Sequence, residues 1–539
     1  MPDQNFPPPN NDPGNPSLPE EQEFVPPEPQ PNPVPQENPV PDFSRPEVSE
    51  PEVPVQPVFN QEIKVEEKTD FSPPAESGFA SAPQASPEVE QKAEDFLSSN
   101  DSFSLKPSPK FGFKKLLIFV LVLGLLTGLF FLVVKVILPR IQTNKEVTLN
   151  YWGLWEPESV MSGIISEWES KNPNIKINYS QQSPKEYRER LQSALARNEG
   201  PDLFRFHITW GPMLKNELAT IPTDVMSTAE FESTFYPVVR ENLRSGAAFI
   251  GLPLQMDTLA LFYNQQIFQA AGKTPPTSWD QLRQLALDLT VRDESGRIQT
   301  AGVALGTTNN VDHWSDILGL MMLQNGVNLA QPTGNLAEDA LTFYTIFNKT
   351  DQVWNETLPS STVAFATGKA AMYFGFSWDV LEIKNLNPAL DFRIVPVPQL
   401  PGTDVAWASF WVEGVGKRST HQKEAWAFLK FLSSPEILQK LYQAESQVRL
   451  FGELYPRSEM ASLLSSNSLL TPFLEQGNKA KTWYLSSRTF DNGINDRMIK
   501  YYEDAVNAVN AQEAPAEVLT TTAQGVAQLL SQYDLGSSR

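Results

Sequence analysis

The sequence contains no cysteine and only three histidines, His207, His313 and His421, among its 539 residues. Without cysteine the chain can form no disulfide and can carry no lipid joined through a cysteine thioether. The histidines are far apart in sequence, and the metalloprotease, nucleophile-elbow, P-loop and dinucleotide-binding motifs are all missing. We therefore predict no catalytic residue, no metal site and no cofactor.

Tryptophan and tyrosine are absent from residues 1–109, which hold 25 of the 46 prolines and 21 acidic against 5 basic residues. Such a segment has too little apolar surface to offset the backbone entropy lost on folding. We predict a disordered, proline- and glutamate-rich tail over residues 1–110. Its proline runs favour polyproline II conformation, which suits a spacer or, alternatively, a docking site for proline-binding domains.

Positive charge is scarce as well, because the formal net charge of the chain is −22. Residues 147–539 are also acidic on balance, so they present no basic surface to nucleic acid, and we predict no nucleic-acid partner. This segment holds all 12 tryptophans and all 13 tyrosines. It is too long for one compact core, and two lobes are expected.

One long apolar run is present, the 19 residues 116–134, which contain no charge. A helix of this length rises about 28 Å, close to the hydrocarbon thickness of a bilayer. We predict a transmembrane helix over residues 114–138, left uncleaved, and a linker over residues 139–146. Four basic residues precede the run and three follow it, so charge alone scarcely favours a cytoplasmic tail.

Beyond the linker, strand and helix patterns alternate. Residues 147–152 alternate apolar and polar side chains, and a helical pattern follows at Val160, Ile164, Ile165 and Trp168. A second strand, at Ile175, Ile177 and Tyr179, precedes another helical pattern that starts at Tyr187. This rhythm indicates a parallel α/β sheet.

The segment 251–282 contains several local signals in a fixed order. Pro253 opens a strand-like run that ends at Asn264, and a short helix over 267–271 is closed by Gly272. Thr277 or Ser278 is placed to cap a helix that begins near Trp279. An ordinary strand-turn-helix of an α/β enzyme would give the same local pattern.

The order of the motifs along residues 147–539 is more specific. VTLNYWGLWE, PNIKINYSQQ and GPDLFRFHITW come first, then the segment 251–282, then GKAAMYFGFSW, SFWVEGVGKRSTHQKEAWAFLKFLSSPE and GELYPRS. Together they resemble the family 1 extracellular solute-binding proteins, the maltose-binding type of ABC-transporter receptor. The resemblance implies an α/β fold of two lobes, of the periplasmic-binding-protein type II, with the ligand cleft between the lobes.

In that fold the chain is expected to cross between lobes near residues 254–260 and 390–396. Lobe 1 would comprise about 147–255 and 394–440, and lobe 2 about 260–390 and 445–539. Ligands of α/β sheets gather beyond the carboxyl ends of strands. On this basis and on the resemblance, the predicted ligand-binding residues are Trp155, Gln182, His207, Trp210, Asp257, Trp314, Trp378, Trp407, Trp411 and Arg449.

Tryptophan rings suit the apolar face of a sugar, and carboxylate, amide and guanidinium groups suit its hydroxyls. Trp168, Trp279 and Trp426 are instead predicted to be structural, as is Asp202, which can cap a turn. The resulting hypothesis is a monomeric, membrane-tethered receptor with a cytoplasmic tail and an extracellular domain, which presents a sugar or other polyhydroxy solute to ABC permease subunits. Two alternatives are a sensor that signals across the membrane and a membrane-anchored glycan hydrolase with paired carboxylates.

Overall fold

The structure is a computed structural model that describes residues 112–132, 135, 146–486 and 493–536, without the side chains of Phe113 and Lys115. The predicted tail over residues 1–110 and the predicted linker up to residue 145 lie outside the described residues. Helix α1, Phe113–Leu132, covers most of the predicted membrane segment. Its large apolar side chains from Leu116 onward are all more than half exposed. Within the described ranges, no helix combines the length and the apolarity needed to cross a membrane.

The remaining elements are numbered in chain order. The strands are β1 Val147–Gly153, β2 Ile175–Gln181, β3 Leu203–His207, β4 Arg244–Ser245, β5 Ala248–Phe249, β6 Leu252–Pro253, β7 Ala260–Asn264, β8 Val291–Arg292, β9 Ile298–Thr300, β10 Met372–Gly375, β11 Phe392–Pro396, β12 Ala406–Trp407, β13 Trp411–Val415 and β14 Ala480–Lys481. The helices are α2 Glu158–Lys171, α3 Tyr187–Ala196, α4 Thr228–Thr234, α5 Pro237–Asn242, α6 Gln265–Ala270, α7 Trp279–Leu289, α8 Trp314–Gln324, α9 Asn335–Lys349, α10 Ser361–Ala366, α11 Ser377–Leu386, α12 Gln422–Leu432, α13 Pro435–Glu445, α14 Thr471–Glu475, α15 Ile494–Asn510 and α16 Pro515–Ser531.

Two sheets define the two lobes. The larger sheet has the order β2-β1-β3-β13-β6, in which β1 pairs parallel with β2 and β3 while β13 runs antiparallel to β3 and β6. The smaller sheet has the order β10-β7-β11 with both pairs antiparallel. The architecture is therefore the predicted α/β fold of two lobes.

Local sequence signals account for the elements that begin the second lobe. The side chain of Asn264 accepts hydrogen bonds from the N–H groups of Gln266 and Ile267 and so caps α6. Gly272 follows α6 with a φ of +63°, a left-handed conformation that glycine adopts at low cost. Ser278 caps α7 through the N–H of Gln281, as predicted.

Residues 254–259 connect β6 of the larger sheet to β7 of the smaller one, as the sequence suggests. The predicted second crossing near 390–396 is wrong, because residues 392–396 form β11, which pairs with β7 along its whole length. The chain returns to the larger sheet over residues 397–410, before β13. The exact division of the chain into lobes stays a prediction.

Side chains from both lobes join one apolar core. Trp168, Trp279 and Trp426 are buried in it, as predicted. Asp202 also has the predicted structural role, because its carboxylate accepts hydrogen bonds from the backbone N–H of Asn150 at 2.9 Å and the hydroxyl of Ser419 at 2.5 Å. At the end of the described chain, α15 and α16 pack against each other and against α9.

Candidate functional site

A cavity of about 920 Å³ lies where the two lobes meet. Trp155 follows β1, Trp210 follows β3, and Phe376 and Trp378 follow β10, so these rings stand beyond the carboxyl ends of their strands. The full lining consists of Trp155, Pro184, Lys185, Glu186, Trp210, Gln255, Asp257, Thr308, Asn309, Val311, Asp312, His313, Trp314, Ser315, Asp316, Phe376, Trp378, Ser409, Phe410, Trp411, Arg449 and Glu453.

Three tryptophans form an aromatic wall on the larger lobe. The ring of Trp411 contacts Trp155 edge to face at 5.8 Å between centroids and Trp210 at 5.1 Å. Trp210 is buried, whereas Trp155 is 40% exposed. Trp155 thus packs against Trp411, which in turn packs against the buried Trp210, and its exposed surface is available to the apolar face of a ligand.

A second aromatic surface lies on the smaller lobe. Trp378 stacks on Phe376 with 4.3 Å between ring centroids and 13° between the ring planes. Trp378 is 39% exposed although it belongs to helix α11, whose other face is buried. The cavity therefore has a partly exposed tryptophan on each of its two lobes.

Asp257 lies in the first connection between the sheets and is buried. Its Oδ2 accepts hydrogen bonds from the backbone N–H of Ser377 at 3.0 Å and from the Ser377 hydroxyl at 2.5 Å, and its Oδ1 accepts one from the N–H of Thr258 at 2.7 Å. Burial raises the pKa of Asp257 well above its ordinary value, against the effect of these hydrogen bonds. Since Ser377 begins α11, the Asp257 carboxyl group caps that helix by accepting the hydrogen bond from the Ser377 N–H.

His313 stands between two aspartates in the wall of the smaller lobe. Its Nε2 lies 2.7 Å from Oδ2 of Asp379, and its Nδ1 lies 3.8 Å from Oδ2 of Asp316. Burial alone would lower the pKa of His313, but the two carboxylates raise it well above its ordinary value. The imidazole thus lies between two carboxyl groups that favour its protonated form.

Arg449, like His313, lies between two acidic side chains. Its guanidinium bridges Glu445 at 3.0 Å and Glu453 at 2.9 Å. Burial, with repulsion from Glu453 and Glu156, raises the pKa of Glu445 to about 8, although Arg449 opposes the shift. Burial likewise raises the pKa of Glu453.

A third ion cluster lies inside the larger lobe. Arg205 on β3 donates to both carboxylate oxygens of Glu156, at 2.8 and 2.6 Å, and to Glu413 on β13 at 2.6 Å. All three side chains are almost fully buried. Burial raises the pKa of Glu413 even though Arg205 opposes this. The cluster connects the sheet to the segment after β1 that carries Trp155.

Three of the predicted ligand-binding residues do not line the cavity. Gln182 bonds to the neighbouring Ser180 hydroxyl at 2.8 Å. His207 is fully buried behind Trp411, between the hydroxyls of Thr209 and Ser409, and burial lowers its pKa to about 3. Trp407 is a core residue whose indole N–H donates to Asp316 at 2.7 Å and whose ring fills the space beside Gly319. The other seven line the cavity: Trp155, Trp210, Asp257, Trp314, Trp378, Trp411 and Arg449.

Most of the polar lining was not predicted from the sequence, notably Asp312, His313, Asp316, Gln255 and Glu453. Asp312 directly precedes His313, and Asp316 lies in the first turn of helix α8. This spacing matches no recognised motif. The one sequence signal for these two aspartates is that they lie within two positions of Trp314, a predicted ligand-binding residue. Over the described residues, no group of three or more histidine, aspartate or glutamate side chains has the arrangement of a metal site.

Curated proteins with similar sequences are distant relatives. The chain is 23% identical over 327 residues to an uncharacterized lipoprotein of Streptomyces antibioticus, a match that covers 56% of this chain and 70% of that protein. It is 24% identical over 209 residues to the multiple sugar-binding protein of Streptococcus mutans, covering 36% of this chain and 49% of that protein.

Solved structures share the fold over most of the described domain. The sugar-binding protein MalE of Xanthomonas citri has a TM-score of 0.60 at 20% identity, covering 72% of this chain and 98% of that one. The cyclic α-maltosyl-1,6-maltose binding protein of Arthrobacter globiformis has a TM-score of 0.59 at 16% identity, covering 72% and 100%. The structures compared belong to binding proteins and not to enzymes. The family model of the bacterial extracellular solute-binding proteins matches residues 155–438, more than half of the sequence, and the chain belongs to that family.

Proposed function

We propose that this protein is the solute receptor of an ABC importer and that it captures a carbohydrate or another polyhydroxy solute between its lobes for delivery to the permease subunits. The observation that carries the proposal is the cavity, which has an exposed tryptophan on each lobe and fixed carboxylates between them. Indole rings suit the C–H face of a sugar, and oriented carboxylates accept hydrogen bonds from its hydroxyls. The family and the sugar-binding proteins of similar fold support the same reading.

No bond is made or broken in this function. A ligand that touches Trp155 on one lobe and Trp378 on the other has more contacts when the lobes are close together. The difference in affinity between open and closed forms is what drives closure about the connecting segments. The closed form is then the one that the permease would recognise.

A ligand screen tests the proposal. The full-length chain, kept in a detergent without a sugar headgroup, is heated with neutral mono- and oligosaccharides such as glucose, maltose, maltotetraose and mannobiose. A specific ligand raises the melting temperature by mass action. Calorimetry on the ligand found should show a loss of about tenfold or more in affinity for Trp378→Ala, the loss of one aromatic contact.

The matched control is Leu386→Ala, because Leu386 lies on the same helix α11 and is also exposed, but does not line the cavity. This control should bind as the wild type does. Equal affinity of the two variants would remove Trp378 from the site. A screen in which no polyhydroxy solute raises the melting temperature would contradict the proposed function.

We also propose that α1, together with the apolar residues that follow it in sequence, tethers the receptor to the membrane. The exposed apolar side chains from Leu116 to Leu132 and the uncharged run 116–134 support this. The tail would then be cytoplasmic and the domain extracellular, since a receptor must meet its solute outside. In the absence of cysteine, this helix would replace the lipid anchor attached to cysteine.

The missing cysteines allow a clean test of this topology. Ser77→Cys in the tail and the exposed Ser466→Cys in the domain each introduce a single thiol. In intact cells a membrane-impermeant maleimide should label position 466 and not position 77. The opposite pattern, or release of the chain by alkaline carbonate, would overturn the tether.

The choice between transport and sensing needs its own measurement. The full-length chain is cross-linked in the membranes of its own cells and then purified. The membrane subunits of an ABC permease should be purified with it. Recovery of cytoplasmic signalling proteins alone would instead favour a receptor that signals through its tail.

A further inference from the structure

The interior lining of the cavity holds more acidic than basic side chains. Four carboxylates line its interior, Asp257, Asp312, Asp316 and Glu453, against two cations, His313 and Arg449. The one other cation of the lining, Lys185, is exposed and is followed directly by the acidic Glu186, so the two charges cancel. Acidic side chains therefore outnumber basic ones in the interior, although burial raises the pKa of Asp257, Asp316 and Glu453.

Both interior cations already have acidic partners within the protein. Arg449 bridges Glu445 and Glu453, and His313 lies 2.7 Å from Asp379 and 3.8 Å from Asp316. An anionic solute would have to displace one of these carboxylates before it could bind a cation. The negative charge of the solute would also lie near the remaining carboxylates of the cavity, at an unfavourable Coulomb energy.

Asp312 is the carboxylate best placed to meet a ligand. Its Oδ2 accepts hydrogen bonds from the Thr362 hydroxyl at 2.6 Å, the Thr362 N–H at 2.9 Å and the Ser361 hydroxyl at 3.0 Å, at the start of α10. Its Oδ1 has no hydrogen-bond partner among the described residues. The side chain is exposed on the cavity wall, so a fixed anion faces the ligand space with one oxygen available.

The aromatic lining also favours a ligand with a positive charge. The faces of tryptophan rings attract cations, and Trp155, Trp378 and Trp411 all line this cavity. Aromatic faces and a fixed carboxylate are together the usual partners of an ammonium group.

From these observations we infer that the solute of this receptor carries a protonated amine: an amino sugar or another basic polyhydroxy compound, held through Asp312 and the indole rings. The inference rests on the proposed function and narrows its substrate class. We expect phosphorylated and carboxylated sugars to bind less well, because Asp312 faces the ligand space and both cations already have acidic partners.

Matched sugars test the charge preference. Each of glucose, galactose and mannose is offered to the full-length chain with its 2-amino-2-deoxy form and its uronic acid, and oligomers of β-1,4-linked glucosamine are compared with those of glucose and glucuronate. Calorimetry in a detergent without a sugar headgroup gives each dissociation constant. The amino form should bind about tenfold more tightly than its neutral counterpart, as expected for a charge-assisted hydrogen bond, and the acid should bind less well.

The variant Asp312→Asn assigns the effect to one residue. Asparagine can still accept the hydrogen bonds from Ser361 and Thr362, so the fold is retained while the charge is lost. The ratio of affinities for the amino and neutral forms should fall about tenfold in this variant. Asp339→Asn, which removes an exposed charge on α9 away from the cavity, should leave the ratio unchanged.

The outcomes separate this inference from the proposed function. Equal binding of amino and neutral forms, or tighter binding of the acid, overturns the inference and leaves a sugar receptor. A ratio that Asp312→Asn does not change overturns the role of Asp312. Failure of every sugar in the set to bind overturns the inference and also contradicts the proposed function.

Discussion

Asp257 accepts two hydrogen bonds from Ser377, one from its backbone N–H at 3.0 Å and one from its hydroxyl at 2.5 Å, across 120 positions of sequence. The carboxylate belongs to the connection between the sheets, and the serine begins helix α11 of the smaller lobe. This pair therefore attaches the connecting segment to the element that carries Trp378. It gives Asp257 a structural role beside any contact with a ligand.

The first prediction concerns this pair. Asp257→Ala should lower the free energy of unfolding by about 1–3 kcal/mol, because it leaves two buried donors of Ser377 without an acceptor. Ser377→Ala should cost less, since the backbone N–H still donates to the carboxylate. A double-mutant cycle by urea denaturation should show a coupling of about 0.5–3 kcal/mol. Strictly additive effects would mean that the two side chains do not interact.

The second prediction concerns Arg205, which binds Glu156 and Glu413 inside the larger lobe. Arg205→Leu should lower the free energy of unfolding by about 3–5 kcal/mol, because two buried carboxylates lose their counter-ion. The matched control is Arg393→Leu, which removes the partner of Asp391 in an ion pair that is about half exposed, and it should cost no more than about 1 kcal/mol. Similar melting temperatures for the two variants would show that the buried cluster is not a significant source of stability.

The third prediction is a pH dependence of stability caused by Glu445. Its pKa is raised from 4.5 to about 8 in the folded chain, mainly by burial, so the folded state binds more protons than the unfolded state between these values. The contribution of Glu445 is fully present below pH 4.5 and is lost as the pH rises through about 8. Glu445→Gln should therefore weaken the fall in stability between pH 5 and pH 8, as measured by urea denaturation.

The control for this pH dependence is Glu436→Gln, at the exposed start of the same helix α13. It should leave the pH dependence as it is in the wild type. If the Glu445 variant and the wild type lost the same stability over this interval, the slope would have to come from other groups.

The fourth prediction separates two tryptophans that are four positions apart. Trp407→Phe removes an indole N–H that donates to buried Asp316, and it should lower the free energy of unfolding by about 1–3 kcal/mol with only a small loss of affinity, because Trp407 itself does not line the cavity. Trp411→Leu should instead weaken binding, because Trp411 lines the cavity between Trp155 and Trp210. Calorimetry and denaturation on both variants give the comparison. A loss of affinity in Trp407→Phe as large as that in Trp411→Leu would contradict its assignment to the core.

Local pattern was enough to predict the framework of the fold. The alternation at β1 and β2, the apolar face of α2, the end of β7 at Asn264 and the cap at Ser278 are all indicated by short stretches of sequence. The second crossing was misplaced because the alternating pattern of residues 392–396 is typical of a strand and would be the same in either lobe. Only the pairing with β7 decides to which sheet they belong.

The site was less predictable because it depends on long-range contacts. Trp407 and Trp411 look alike in sequence, and what distinguishes them is Asp316 and Gly319 on α8 for one and Trp155 and Trp210 for the other. His207 was assigned to the cleft from its place after a strand, but Ser409, 202 positions later, holds it in the interior. The acidic residues of the lining form no motif in the sequence. They could not be recognised by type either, because exposed loops of any function are rich in acidic residues.

The buried cluster around Arg205 also bears on the order in which the chain can fold. Strand β3 is synthesised early, yet its arginine finds Glu413 only 208 positions later, on the strand that completes the larger sheet. Contacts so distant in sequence form slowly, since the long intervening loop must be closed first. The larger sheet and its buried ion cluster can therefore be completed only after Glu413 has been synthesised, late in the production of the chain.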